Sequence, residues 1–392
     1  MMKQILSVSW ISLRSLPQRL WLSLATILTI AVVVAVLLAF LAMSNGFRKT
    51  LEGTGSDDVA LILRGGASTE LNSVLSREDQ AVLETAAGIA KNNGEPMISG
   101  ELYVVVNGTK KTSGTKVNLP LRGLSEQGIA MRGPVTISQG RLFVPGRNEL
   151  VVGRALLGEF DGFDLNSTVR FGATDWDIVG VFETGGTVFE SELWSDLAGV
   201  QNQFNRGSSV QSVRAKLTSP DAIEDLKDFA ENDPRLGVDV ISEKDYFKEQ
   251  SQSTSDLILV LGWPLAIAMG LGALAGALNT IYTSVAARAR DIATLRAIGF
   301  SSLSAFFGTL SESLALSVLG GLLGAAVAWS FFDGLSTSTL GGGFTQVVFS
   351  FQLGGALLVQ GAILALGIGL VGGFFPAIRA ARLPVAMAFS DR

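Results

Sequence analysis

Charge is missing from four long stretches of this 392-residue chain, and that constrains its fold more than any motif. No Asp, Glu, Lys or Arg lies between Arg19 and Arg48, between Asp256 and Arg288, between Glu312 and Asp333, or between Asp333 and Arg379. A helix needs about 20 apolar residues to cross a hydrocarbon core about 30 Å thick. Each stretch can hold one, so the chain reads as an α-helical membrane protein with four transmembrane helices, at 21–43, 257–287, 302–332 and 354–375. An amphipathic segment, 1–20, precedes them. The first apolar stretch, Trp21 to Met43, is longer than the 7–15 residues of a signal-peptide core, and no A-x-A site follows, so it reads as a retained anchor.

Lys and Arg in the short flanks orient the spans. Lys3, Arg14 and Arg19 precede the first. Arg288, Arg290 and Arg296 follow the second against Asp291, and Arg379, Arg382 and Arg392 follow the fourth against Asp391. These flanks belong in the cytoplasm, with both termini, and 44–256 belongs outside. That outer section holds 21 Lys and Arg against 31 Asp and Glu, while the remainder holds 9 against 4. The overall charge of −5 argues against nucleic acid as a partner. Cys and His are both absent. Disulfides, thiol or Ser-His-Asp catalysis and Cys/His metal sites are therefore excluded.

The outer section has ordinary mixed composition and reads as a large α/β extracytoplasmic domain, with an α/β base and a β-rich insertion at about 97–190. Ser76 begins a helix, with Glu78 and Asp79 in its first turn and Gly94 after its end. Strands are expected at 97–106, 117–124, 150–152, 168–171, 176–182, 212–217 and 238–241, with Asn107-Gly108 as a hairpin turn. Helices are expected at 191–204, at 221–231 and at 242–255, the last leading into span two. The acid pairs Asp57-Asp58, Asp175/Asp177 and Glu190/Glu192 do not extend to a calcium-loop spacing and read as solvated loop acids. The segment Gly108–Gly114 lacks the spacing of a phosphate-cradling loop, so no Walker motif is present and no ATP hydrolysis is expected of this chain.

The second uncharged run is longer than a bilayer needs and suggests a stalk continuing the lead-in helix, with Trp263-Pro264 at the outer interface. Glycines recur at four-residue spacing: Gly272 and Gly276, Gly320 and Gly324, Gly369 and Gly373. Such faces allow close helix approach, either within the chain or between subunits. Glu312 is the ionisable group deep in a span, a packing element or part of a gate, with Asn279, Thr280 and Tyr282 as polar partners. An outer loop is expected at 333–353 and a tail at 376–392. Between spans two and three, apolar residues at 285, 292, 295 and 298 follow helical spacing, and Gly299 is a natural stop. The segment 288–301 reads as a short amphipathic helix that lies on lipid or docks on a cytoplasmic protein.

The stretch Asn279-Thr-Ile-Tyr-Thr-Ser-Val-Ala-Ala-Arg-Ala-Arg-Asp-Ile-Ala-Thr-Leu-Arg-Ala-Ile-Gly299 resembles the signature before the third span of the FtsX/MacB family of ABC transporter permeases. The family's Arg-Glu-Ile-Gly core stands here as Arg290-Asp-Ile-Ala293. Phe375-Pro-Ala-Ile-Arg-Ala-Ala-Arg-Leu-Pro384, Glu312 with Gly320–Gly324, and Trp176-Asp-Ile-Val-Gly-Val181 are similar to further family segments. The resemblance implies a mechanotransmission permease. A separate ATPase subunit would bind ATP and magnesium, and this chain would need no cofactor. Arg288, Arg290, Asp291, Ile292, Leu295, Arg296 and Gly299 would form the coupling segment. It also implies a bacterial inner-membrane location, a dimer with a second permease copy or paralogue, a periplasmic adaptor, and export or extraction of a substrate. The alternative is an FtsX-like regulator of a periplasmic cell-wall hydrolase. A reporter fused near Asn166 is expected to be active only outside the cytoplasm; activity inside, read by paired compartment-specific fusions, would invert the topology.

Overall fold

The computed structural model describes residues 2–340 and 345–388. Two compact units are present: a helical bundle, from the described parts of Met1–Asn45, Leu257–Leu335 and Phe351–Arg392, and an inserted domain, from Gly46–Asp256 and Ser336–Ser350. Among the described residues the helices are α1 (Met2–Arg14), α2 (Leu20–Glu52), α3 (Arg77–Leu83), α4 (Glu126–Ala130), α5 (Arg154–Glu159), α6 (Leu197–Gln203), α7 (Ala222–Asn232), α8 (Glu243–Ala287), α9 (Ala289–Ala297), α10 (Ser302–Phe332) and α11 (Gly355–Arg382).

In the bundle, α2, α8, α10 and α11 are long and apolar enough to cross a membrane. Helices are forced there because hydrocarbon offers the backbone no hydrogen-bond partner. Several outlast the apolar stretch. Lead-in and span two form one 45-residue helix, about 67 Å long, continuing through Pro264. The last helix runs on to Arg382 and stops at Leu383, whose ψ of 130° is the extended conformation imposed by Pro384. Small residues set the contacts. A Cβ on Gly324 would lie 2.5 Å from the Ala31 carbonyl oxygen of α2, and one on Gly320 would lie 2.8 Å from Ile30. Gly369 and Gly373 admit Ser317 and Ser313 of α10, and Ser313 donates to the Gly369 carbonyl at 2.7 Å. Gly272 and Gly276 behave differently, since a Cβ at either would meet nothing within 4 Å. On α8 it is Ala277 that packs, against Gly372.

The strands of the inserted domain are β1 (Val59–Arg64), β2 (Lys91–Asn92), β3 (Glu95–Pro96), β4 (Ile98–Lys110), β5 (Lys116–Leu124), β6 (Thr136–Gly140), β7 (Glu149–Gly153), β8 (Phe160–Asp161), β9 (Thr168–Phe171), β10 (Thr174–Glu183), β11 (Leu193–Asp196), β12 (Ser212–Lys216), β13 (Val238–Ser242), β14 (Ser336–Leu340) and β15 (Gln346–Ser350). Eleven form one mixed sheet in the order β13-β1-β12-β4-β5-β11-β7-β10-β6, with β8 on β4 and β9 on β10. The long β4 joins two halves: Ile98–Glu101 pairs with β12 and Leu102–Thr109 with β5. The base half buries Ile62, Leu83, Val213 and Leu226, and the β-rich half buries Leu121, Leu150, Trp176 and Leu193.

Five sequence expectations change, one being that Glu190 and Glu192, expected as solvated loop acids, are buried, held by the Thr184 N–H and by Arg122. Asn107 and Gly108 are not a turn but pair with Asn118 and Val117 in register. The turn falls later, at Gly114, where φ is +65°. The helix expected over 191–204 divides into a 3-10 turn (Val188–Ser191), β11 and α6, because the sheet takes Leu193 and Trp194 between β5 and β7. The helix capped by Ser76 keeps its capping box but ends at Leu83, and Gly94 instead turns the β2–β3 hairpin. The loop expected at 333–353 contains the β14–β15 hairpin, which belongs to the inserted domain. Its Val348 joins the β-rich core and its backbone N–H donates to Ser191 Oγ at 2.9 Å, while Thr345 Oγ1 lies 2.8 Å from the Tyr103 hydroxyl.

A lattice of charged side chains lies inside this domain. Arg122, on β5, bonds Glu70 at 2.7 and 2.9 Å, Glu101 at 3.0 Å and Glu192 at 2.8 and 2.7 Å. Arg132 donates to Glu101 at 2.6 Å, and Arg214 donates to Glu101 and, at 2.7 Å, to Glu243, the first residue of α8. All seven are buried. Aromatic faces insulate them: Arg122 lies over Tyr103 and Arg132 between Phe189 and Trp194. Burial alone would raise the Glu70 pKa, but Arg122 and Arg214 outweigh it and hold the carboxyl well below the usual range. A depressed acid stabilises the fold above its unfolded pKa, and that contribution fades as pH falls below about 4.5. Arg214→Met leaves Glu243 without its cation and takes one of three from Glu101. It should cost roughly 3–5 kcal/mol of domain stability at pH 7, read by unfolding of the full chain in detergent, whereas loss below about 0.5 kcal/mol would contradict the lattice's role.

Candidate functional site at the loop end of the bundle

At the end of α8 the bundle carries a second buried charge cluster. Ser284 and Arg288 stand one helical turn apart, so they share a face. Arg288 forms an ion pair with Glu312 of α10, and Ser284 Oγ donates to the other Glu312 oxygen at 2.9 Å. Arg19, at the foot of α2, donates to the Ser284 carbonyl at 2.8 Å and to its hydroxyl at 2.6 Å. Arg288 also donates to Ser15 Oγ at 3.2 Å. One cluster thus ties the α1–α2 junction, α8 and α10. Glu312 is 4% exposed and Arg288 13%, so the pair carries little solvent screening.

This corrects the partners expected for Glu312. Asn279 is exposed, and the hydrogen bonds to Glu312 come from Ser284 and Arg288 instead. At about 100° per residue, Asn279 stands roughly 140° around α8 from Ser284, on a different face. Tyr282 instead receives Arg379 over its ring at 5.7 Å. Proximity in sequence suggested the inner end of span two; helical phase selects which residues there can reach α10. The four-residue step from Ser284 to Arg288 was the available signal, and nothing in the sequence joined Arg19 to it.

The segment expected to couple takes shape as α9. Its N-cap is Arg288, and Gly299 ends it with φ at +104°, a conformation that favours glycine. Ile292 packs beside Ile281, Val285 and Leu316, with Leu383 on the same cluster. Ala293 is fully buried, and Arg296 donates to the Leu383 carbonyl. Leu295 is half-buried. Of the expected apolar face, Val285, Ile292 and Leu295 point into the chain, while Ile298 does not. The residues that face outward are Arg290, Asp291, Thr294, Ala297 and Ile298, the last 69% exposed. Among the described residues no group of His, Cys, Asp and Glu is arranged to hold a metal.

The Arg288–Glu312 pair can be isolated by a double-mutant cycle. Glu312→Gln alone should cost roughly 3 kcal/mol by stranding a buried cation, and Arg288→Gln in the same chain should recover much of it. Additive losses in melting experiments would show that the two side chains do not act together.

Residues 23–232 match the family model of the MacB-like periplasmic core domain, and residues 263–385 match that of the FtsX-like permease C-terminal region. The chain is 24% identical over 388 residues to a macrolide export ATP-binding/permease protein MacB from Neisseria meningitidis, covering 92% of this chain and 57% of that protein. It therefore spans little more than half the length of that relative. It is 21% identical over 394 residues to an uncharacterized ABC transporter permease, YvrN, from Bacillus subtilis, covering 92% of each. The periplasmic region of MacB from Actinobacillus actinomycetemcomitans is 18% identical, covers 51% of this chain and 95% of that one, and superposes with a TM-score of 0.38. With one model falling on the first span and most of the inserted domain and the other on the last three spans, the chain belongs to the FtsX/MacB-like family of ABC transporter permeases.

Proposed function

We propose that this chain is the membrane subunit of an ABC transporter in which a separate subunit hydrolyses ATP and movement, rather than a conduit, carries the work to the inserted domain. The observation that carries this reading is the single helix α8. Its first residue, Glu243, is bonded to Arg214 inside the charge lattice, and its last turn bears Ser284 of the second cluster. Both ends are anchored by buried charge, so a displacement imposed on α9 has a stiff covalent route to the lattice. The spans offer little polar lining for a water-filled path, which favours transmission over conduction. In this reading 288–301 and both termini are cytoplasmic, the inserted domain is periplasmic, and the membrane is the bacterial inner membrane.

A substrate is exported or extracted by the inserted domain, with a second permease chain and a periplasmic adaptor completing the assembly. The match of residues 23–232 to a MacB-like model favours this over regulation of a cell-wall hydrolase. The ATPase subunit docks on the outward face of α9. Leu295 and Arg296 face the bundle, so substitutions there would disturb packing as well as docking. Ile298→Asp is the cleaner variant. It should abolish co-purification of the ATPase subunit while the melting profile of the permease stays unchanged, and full co-purification would overturn the assignment of that face.

A further inference from the structure

Beside the Arg288–Glu312 pair lies a cavity of about 370 Å³, bounded by α1, the foot of α2, α9 and the start of α10. Its volume is at the lower end of small-molecule sites. Arg14, Arg19, Arg288 and Arg296 line it against one acid, Asp291. Three of these arginines are fixed by other bonds: Arg19 by Ser284, Arg288 by Glu312 and Ser15, and Arg296 by the Leu383 carbonyl. The cationic wall is therefore preorganised, and little side-chain entropy would be lost on binding an anion. The Nε–H of Arg288 is buried and has no acceptor.

The surroundings specify the source of such an anion. One side of α1 packs on α10, where Val8 and Ser12 close on Gly308. The other side leaves Leu6, Trp10 and Ile11 more than half exposed, and Arg14 lies over the Trp10 ring at 5.7 Å. A short helix with exposed Trp and Leu beside Arg is the pattern of a segment lying in a membrane interface. Trp21, 82% exposed at the foot of α2, extends that apolar surface. Guanidinium groups match phosphate oxygens in geometry and charge. We propose that this cavity binds the phosphate of an anionic phospholipid headgroup, with the acyl chains lying along the exposed face of α1 and the foot of α2. The site depends on neither the ATPase subunit nor the transport reading.

The test is lipid retention by the full purified chain, delipidated in detergent and followed by native mass spectrometry. Dioleoylphosphatidylglycerol should bind more tightly than dioleoylphosphatidylcholine. Arg14→Gln, at an exposed side chain, should weaken phosphatidylglycerol about fivefold, and the Arg14→Gln/Arg19→Gln pair about thirtyfold, with phosphatidylcholine unchanged. An unaltered melting temperature and unaltered phosphatidylcholine binding separate this from misfolding, and the Arg14→Gln result decides alone if the double variant is unstable. Equal retention of the two lipids, or phosphatidylglycerol binding indifferent to Arg14→Gln, overturns the proposal. So does displacement of the lipid by an equal concentration of inorganic phosphate, which would make the ligand a soluble anion. Loss of ATPase-subunit co-purification in Arg14→Gln with lipid binding intact would assign the arginines to a protein partner and equally overturn it.

Discussion

Hydrocarbon cannot hydrogen-bond a peptide group, and the helical bundle is a consequence of that one fact. Each span must close its own backbone bonds and keep charge out of its middle, so four helices follow from four uncharged runs. With lipid on one side and protein on the other being equally apolar, burial gives helices no reason to associate, and small residues take over that task. Gly320, Gly324, Gly369 and Gly373 let α10 approach α2 and α11 to near backbone contact. Glu312 is tolerated deep in α10 because Arg288 and Ser284 reach it from α8. The lipid thus sets both what the spans exclude and how the exception must be paired.

The inserted domain meets the same electrostatic problem in a protein interior. Four glutamates and three arginines are buried together, at a desolvation cost that only dense mutual bonding can offset. Glu101 is the meeting point, accepting from Arg122, Arg132 and Arg214. Those residues come from β4, β5, β12 and the segment after α4, and Glu243 adds the start of α8. An apolar core would tolerate small slips among these elements. A lattice of directional bonds does not, because a slip leaves a charge stranded.

Legibility in the sequence followed the range of the interactions. The spans were evident from runs of residues, and the strands at 97–106, 117–124 and 168–171 from short local stretches, although the turn between the first two was expected too early, at Asn107-Gly108. The Ser76 capping box rests on contacts three residues apart. Strand β11 was misread as helix because its pairing with β5 and β7 is distant in sequence. The β14–β15 hairpin was read as loop for the same reason, its core contacts lying with Ser191 and Tyr103. In the coupling segment, the apolar spacing at 285, 292 and 295 correctly marked a helix with a sheltered face, but periodicity is silent on what shelters it. Here the shelter is the bundle itself, and the outward face is the more polar one.

The sequence by itself determined how many times the chain crosses lipid, where the large domain is inserted, and which family its signatures belong to. Those properties depend on local composition and on short motifs. Only the tertiary structure decided that Arg19, Ser284, Arg288 and Glu312 form one cluster, that seven charged side chains share one interior, and that a Cβ at Gly272 or Gly276 would meet nothing within 4 Å among the described residues. Electrostatic partners are chosen by distance in space. In a folded chain that distance is set by helix phase and sheet order, which no run of neighbouring residues records.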